Sequence, residues 1–333
     1  MPELRRDPIV GRWIIVDTEH PAKPQEYEHE GHTWRAGVCP FCYGNESMTP
    51  PEIESFRDQY TSPNSSGWQV RVVPNKFPAL EIEGDLDKRA VGMYDMSKGV
   101  GAHEVLIETP YHHKDIPDLA DGEVEKIITM CQRRSIDLTK DKRFKYIMIF
   151  KNYGPAAGAS LEHPHTQIIA LPMVPKNVME EIKGAEDYFE YRDRCIFCDM
   201  IRQEEHEKER IIAENKHFLA FCPFVSRFPF EIWIMPKKHN CCFAHMPHEE
   251  IPGLAAILKD VTARVKRVFA NPAYNFIIHT APADGDTCNL EGYHWHIEFM
   301  PKLMRVAGFE WGSGFYNVPT PPELAAQYLR EVK

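Results

Sequence analysis

Apolar positions recur at three- and four-residue intervals in two stretches of the chain. Over Asp121–Leu138 the residues Val124, Ile127, Ile128, Cys131 and Leu138 fall on one side of a helix. Over Gly253–Phe269 the residues Leu254, Ile257, Leu258, Val261, Val265 and Val268 do the same. Short β-branched and aromatic runs predict strands at Val70–Val73, His103–Glu108 and Tyr146–Phe150, and again at Phe218–Phe221, Glu231–Met235 and Asn275–His279. Polar or small-residue stretches read as loops: Thr18–Gly37, the run TSPNSSG from Thr61, Asn152–Leu161 and Pro282–Glu291. The order strand, strand, helix, strand therefore occurs twice, which predicts an internal duplication. No Gly/Ser linker separates the halves. The charged, helical stretch Pro175–Arg194 bridges them, so the division expected is residues 1–175 and 176–333.

The 333 residues are enough for two domains or one large one, and 43% apolar with 26% charged residues is ordinary globular composition. No apolar run is long enough for a membrane-spanning helix, and the N-terminus lacks the pattern of a signal peptide, so no membrane association and a cytoplasmic location are expected. A net charge of −10 disfavours binding to a nucleic-acid backbone, so no nucleic-acid partner is expected. It leaves room for a small anionic ligand held by local donors. Nine cysteines, an odd number, do not suggest a disulfide framework in such a compartment. Cys131, Cys222, Cys241, Cys242 and Cys288 read as single thiols.

The other four cysteines belong to a pattern that follows the duplication. In the first half the order is CPFC (Cys39–Cys42), PYHH (Pro110–His113) and HPH (His163–His165). In the second it is CIFC (Cys195–Cys198), PKKH (Pro236–His239) and HWH (His294–His296). Two thiolates from one tight turn plus two distant imidazoles make a closed tetrahedral zinc site. The candidates are Cys39, Cys42, His112 and His163, and Cys195, Cys198, His239 and His294. Internal alignment on the second half would select His113 in place of His112.

The loop GPAAGASLEHPHTQ, Gly154–Gln167, carries the remaining chemistry. A turn built on Gly154 and Gly158 lets backbone N–H groups approach an anion, and Ser160 and Gln167 add side-chain donors. His163 and His165 flank a proline whose geometry separates their roles, so that one binds metal while the other meets a ligand. A neutral imidazole held through its other nitrogen is a nucleophile toward phosphorus.

These segments resemble the galactose-1-phosphate uridylyltransferase family, of the histidine-triad superfamily. The resemblance rests on RRDPIVGRWIIV from Arg5, CPFC, VRVVPNKFPAL from Val70, HEVLIETPYHH from His103, FKNYGPAAGASLEHPHTQ from Phe150, FPFEIWIMPKKH from Phe228, NFIIHTAP from Asn275 and HWH. It implies an α+β fold: two histidine-triad-like half-barrels, each an antiparallel sheet with helices packed on its face, the first being catalytic. It implies a homodimer. It also implies a role in galactose metabolism by double displacement. His165 attacks the α-phosphorus of a nucleotide sugar, releases hexose 1-phosphate, and passes the nucleotidyl group to a second hexose 1-phosphate. By the same resemblance Ser160 and Gln167 bind phosphate, Asn152 contacts nucleotide or phosphate, Asn75 binds substrate, and Glu310 contacts sugar hydroxyls. The family's P-x-H spacing selects His112 over His113.

Gln167 points to a transferase in its own right. Hydrolases of the superfamily carry a third histidine there, and an amide has no titratable proton to shuttle. The second half also lacks a third histidine, and it has no G-x-x-x-G-x-S run, so chemistry is expected in the first half only.

Several positions depart from the family pattern. HPAKP, His20–Pro24, stands where R-A-K-R-P is frequent; Ala159 replaces a cysteine; and GFEWGSG, Gly308–Gly314, looks like the subgroup that includes ADP-glucose phosphorylase. The leading expectation is UMP transfer between UDP-glucose and galactose 1-phosphate. The alternatives are an ADP-sugar phosphorylase or adenylyltransferase using the same histidine, and a non-catalytic, zinc-stapled nucleotide-binding module. For the second metal the favoured reading is zinc on the two thiolates. The other is an iron-type site of Glu181, His279, His294 and His296.

Overall fold

A computed structural model describes residues 1–27, 37–283 and 290–332. Cys288, most of the loop Pro282–Glu291 and part of Thr18–Gly37 lie outside the described residues. In chain order the strands are β1 (Glu3–Arg6), β2 (Trp13–Val16), β3 (Glu54–Arg57), β4 (Trp68–Pro74), β5 (Arg89–Val91), β6 (Tyr94–Met96), β7 (Ala102–Ile107) and β8 (Tyr146–Tyr153). They continue with β9 (His165–Leu171), β10 (Ile211–Glu214), β11 (Phe218–Phe221), β12 (Ile232–Pro236), β13 (Tyr274–His279), β14 (His296–Pro301) and β15 (Tyr316–Val318). The α-helices are α1 (Asp121–Leu138), α2 (Lys176–Arg192), α3 (Ile196–Glu207), α4 (Ile251–Val268), α5 (Gly308–Ser313) and α6 (Pro322–Glu331).

Ten strands form one sheet in the order β10-β11-β12-β14-β13-β8-β9-β7-β4-β3. Every pairing in it is antiparallel. Read from the centre outward, β8-β9-β7-β4-β3 mirrors β13-β14-β12-β11-β10, which is the duplication expected from the sequence. The seam is β8 against β13, running from Tyr153 opposite Tyr274 to Ile149 opposite Ile278.

The two central helices explain the shared core. α1 and α4 pack on each other and on one face of the sheet, with Val124, Ile127 and Ile128 meeting Leu254, Leu258 and Val261 in one apolar cluster. The same cluster takes Leu106 and Ile147 from the first half and Ile234 and Ile278 from the second. No core boundary therefore runs along the division at residue 175. Nor do the chain ends respect it. The hairpin β1–β2 is extended by β15 in parallel to β2, and Ile9 is buried against Val178 and Ile182 of α2. Gly184 permits this approach, since a Cβ there would stand 1.9 Å from the Ile9 carbonyl oxygen.

The opposite face of the sheet treats the repeats differently. Side chains alternate along β11, so Phe218 and Ala220 face α4 while Leu219 and Phe221 face the other way. In the second half that outer face is covered by α2 and α3, through Ile182, Ile196 and Phe197. In the first half it carries a small cluster of Phe41, Trp68, Val73, Val105 and Ile107, and beside it the surface opens into a cavity of about 450 Å³.

Candidate active site and metal centres

The cavity is lined by His165, Gln167, Ser160, Asn75 and Val105, with Phe41, Met48, Pro50, Phe77 and Leu161 forming apolar walls. Four of the six residues expected to act on substrate are thus brought together. Asn152 sits one strand away on β8. Its Oδ1 accepts from Asn275 Nδ2 at 2.7 Å, and Asn275 also donates to the Ala157 carbonyl at 3.0 Å. The second repeat so reaches across the seam to hold the loop before His165. Glu310 is placed elsewhere. Its Oε2 accepts the Ala307 N–H at 2.9 Å at the start of α5, and it lines a separate depression with Asp17, His20 and Asn317.

The loop itself needs its glycines. Gly154 and Gly158 have φ of +84° and +87°, at either end of a single 3₁₀ turn, Pro155–Ala157. The turn delivers Ser160 to the cavity, and His165 opens β9.

His165 is held in one tautomer. Its Nδ1 donates to the carbonyl of His163, two residues earlier, at 2.8 Å, so Nε2 keeps its lone pair on the cavity side. Burial, with help from the Lys151 ammonium, pushes its pKa down to about 4, so the ring is neutral at physiological pH. Phe41 packs edge-on against it with ring centroids 5.4 Å apart. Below the strand lies a fully buried ionic cluster: Lys151 meets Glu108 and Asp115, Thr166 Oγ1 donates to Glu108 at 2.7 Å, and Tyr274 OH donates to Asp115 at 2.7 Å. The sequence reading passed over Lys151. Its signal was weak, a lone lysine in an otherwise apolar strand.

The first Cys/His group assembles as the spacing predicts. A tetrahedral zinc with bonds of about 2.0–2.3 Å sets its ligand atoms about 3.3–3.8 Å apart. Cys39 Sγ and Cys42 Sγ each stand 3.6 Å from His163 Nδ1, and Cys42 Sγ stands 3.2 Å from His112 Nδ1. These residues fit the metal. His163 Nε2 donates to the Thr109 carbonyl at 2.7 Å, and His112 Nε2 lies 3.3 Å from Glu162, which turns both Nδ1 lone pairs inward. His113 is 76% exposed and faces Glu162, so His112 and not His113 joins the two cysteines and His163.

The second group repeats the arrangement. Cys198 Sγ is 3.5 Å from His239 Nδ1 and 3.6 Å from His294 Nδ1, with Cys195 alongside, and His294 Nε2 donates to the Pro236 carbonyl at 2.8 Å. The hydrogen bond with the Cys195 thiol, helped by those with His239 and His294, holds the Cys198 thiol well down, to about 3. The rival set of Glu181, His279, His294 and His296 is not gathered. Glu181, His279 and His296 cluster, but His294 Nδ1 faces the thiolates instead. His279 lies between two carboxylates, with Nδ1 2.9 Å from Glu181 and Nε2 3.2 Å from Glu298.

Sheet register shows how the surroundings of the two equivalent histidines differ. Val105 lies opposite Gln167 in the first repeat, and Trp233 lies opposite Glu298 in the second. His165 and His296 are equivalent, and both donate Nδ1–H to the carbonyl two residues earlier. Trp233 stacks on His296 at 4.7 Å and fills the space that Val105 leaves open, while Glu298, paired with Arg227, replaces the neutral amide of Gln167.

Residues 181–311 match the family described as galactose-1-phosphate uridyl transferase, C-terminal domain, and residues 96–174 match the N-terminal domain of DUF4931, a domain of unknown function. An ADP-glucose phosphorylase of Arabidopsis thaliana is 34% identical, over 99% of this chain and 93% of that protein. A galactose-1-phosphate uridylyltransferase of Thermotoga maritima is 30% identical, over 100% and 99%. The structure of the Arabidopsis phosphorylase with bound ADP-glucose superposes with a TM-score of 0.83 at 34% identity, covering 100% of both chains. A uridylyltransferase structure gives 0.76 at 29% identity, covering 99% of this chain and 98% of that one.

Proposed function

This chain belongs to the galactose-1-phosphate uridylyltransferase family, and on that premise we propose that it moves a nucleotidyl group between sugar 1-phosphates through a covalent adduct on His165. The observation that carries the proposal is the tautomer of His165: Nδ1–H anchored on the His163 carbonyl and Nε2 directed at the cavity.

In the first half-reaction Nε2 attacks the α-phosphorus. A P–N bond forms, and the bond to the bridging oxygen breaks with its electron pair, releasing hexose 1-phosphate. The imidazolium so created keeps its Nδ1–H on the carbonyl, which stabilises the positive ring. Ser160, Gln167 and the glycine turn supply donors to the phosphoryl oxygens. In the second half-reaction an oxygen of the acceptor phosphate attacks, and the P–N pair returns to Nε2. Zinc at both Cys/His centres, when bound, supplies structure: the first clamps the loops of Cys39, His112 and His163 and so fixes the carbonyl that holds His165. The closed ligand set leaves no position for substrate.

For the nucleotide, the first reading is uridylyl, supported by the Thermotoga relative and the family domain over residues 181–311. The second is adenylyl, an ADP-sugar phosphorylase, supported by the Arabidopsis relative and its full-length superposition. Glu310 lies apart from His165 within one chain, so a role for it at the sugar requires the homodimer expected from the family, with Glu310 serving the partner's cavity. The deciding experiment is intact-protein mass spectrometry after separate incubation with UDP-glucose and ADP-glucose. The expected result is one uridylyl or one adenylyl increment on wild type and none on His165→Gly. An unmodified protein with every nucleotide sugar tried, together with intersecting rather than parallel double-reciprocal lines, would leave the zinc-stapled binding module standing.

A further inference from the structure

Gln167 has two chemically opposite ends, and only the N–H₂ end can serve a phosphoryl oxygen. Something must decide which end faces the cavity. The structure supplies the answer through a chain of groups that starts at a backbone atom of fixed polarity.

The Ala79 amide N–H donates to His103 Nδ1 at 3.1 Å. A backbone N–H cannot accept, so Nδ1 carries the lone pair and the neutral ring carries its proton on Nε2. That Nε2 stands 2.8 Å from Gln167 Oε1. It therefore donates, and the Gln167 oxygen is occupied on the wall side. Asn75 Nδ2 lies 3.0 Å from the same nitrogen but offers no lone pair, and Asn75 Oδ1 is taken by the Phe77 N–H at 3.0 Å. Gln167 Oε1 is the acceptor that remains. The amide is then left with its N–H₂ turned toward the cavity that it lines with His165 and Ser160. The sheet makes the contact possible: His103 on β7 pairs with Ile169 on β9, so Gln167 is its diagonal neighbour on the same face.

We propose that His103 is a positioning residue that sets the polarity of the Gln167 amide, so that Gln167 donates to the α-phosphoryl group during transfer. This rests on the nucleotidyl-transfer reading above. His103 does not touch the reacting atoms and acts through Gln167. In the second repeat the position equivalent to His103 by register is Glu231, whose Oε1 accepts the Trp233 indole N–H at 3.0 Å, so the silent repeat lacks the relay.

The test measures single-turnover formation of the His165 adduct, using whichever nucleotide sugar labels the wild-type enzyme, in His103→Met, His103→Gln, Gln167→Ala and the His103→Met/Gln167→Ala pair. Methionine fills the space without a donor, whereas glutamine places an amide N–H near the imidazole Nε2. His103→Met should slow adduct formation about tenfold to a hundredfold. The loss should fall in the maximal rate rather than in the half-saturating concentration, with zinc content and melting temperature close to wild type. His103→Gln should stay within about threefold of wild type, and the double variant should be no slower than Gln167→Ala alone. Losses that multiply in the double variant, a His103→Gln enzyme as slow as His103→Met, or a His103→Met enzyme as fast as wild type would each overturn the assignment while leaving the His165 adduct in place. A wild-type enzyme that forms no adduct overturns both readings.

Discussion

Lys151→Met should be among the most damaging single substitutions in the chain, and Glu108→Gln beside it one of the mildest. Lys151 is 0% exposed and its ammonium meets both Glu108 and Asp115, themselves buried. Removing it leaves two carboxylates whose remaining side-chain donors, Thr166 and Tyr274, are neutral hydroxyls. Stranding buried charge in this way costs about 3–5 kcal/mol. Burial raises the Glu108 pKa even with Lys151 present, and the Asp115 charge adds to the rise. A group whose folded pKa is raised contributes stability below its unfolded value, and that contribution is lost as pH rises through the folded pKa. Wild type therefore carries a strain that grows upward from the ordinary glutamate range, and Glu108→Gln removes it, leaving a neutral Lys151–Asp115 pair. Guanidinium unfolding with zinc in the buffer, at pH 5 and pH 8, measures this. Glu108→Gln should gain on wild type as pH rises, and Lys151→Met/Glu108→Gln should recover about 2 kcal/mol of the single-variant loss. A Lys151→Met protein within 1 kcal/mol of wild type, or Glu108→Gln equally damaging at pH 8, would refute the reasoning.

Cys39→Ser and Cys195→Ser should each lower bound zinc by one equivalent in plasma emission analysis, and only Cys39→Ser should also abolish His165 labelling, since the His163 carbonyl anchors the His165 ring. Val105→Trp should copy the second repeat and fill the cavity: nucleotide-sugar binding by calorimetry should disappear while circular dichroism and zinc content stay unchanged, because the new ring enters open space. Gln167→His should raise hydrolysis relative to transfer, read as free nucleotide released without acceptor, by placing a proton-shuttling group beside the adduct.

What could be read from the chain and what could not divide along physical lines. α1 spans the residues its periodicity indicates, and α4 starts two residues and ends one residue earlier than expected, because each buries one stripe against a sheet. That these cysteines and histidines gather into two groups was legible, since thiol and imidazole spacing reflects a local geometric requirement. β9 and β14 were not predicted, because their opening H-x-H runs and mixed polarity hide the alternation of a strand buried at the sheet centre. No strand was predicted before Val70, yet RRDPIVGRWIIV contributes β1 and β2, and the pairing of β2 with β15 joins residues some three hundred positions apart. No local pattern carries such a contact. For the same reason the pairing of Trp233 with Glu298, which closes the second site, emerged only from register.

The mirror order of strands about the β8–β13 seam places a local two-fold axis through the middle of a single chain. Two identical units meeting edge to edge would build the same sheet, with two equivalent clefts. In such a symmetric pair every substitution acts twice, so a residue that closes one cleft closes both. Joining the units lifts that rule, and each position can then change alone. Trp233 and Glu298 could accumulate on one side while Val105 and Gln167 were kept on the other. The second half remains tied to the first, because Asn275 grips the loop across the axis and an isolated first half would expose β8 as a bare central edge. Cutting the chain at the bridge should therefore yield fragments that recombine or aggregate, not two independent proteins.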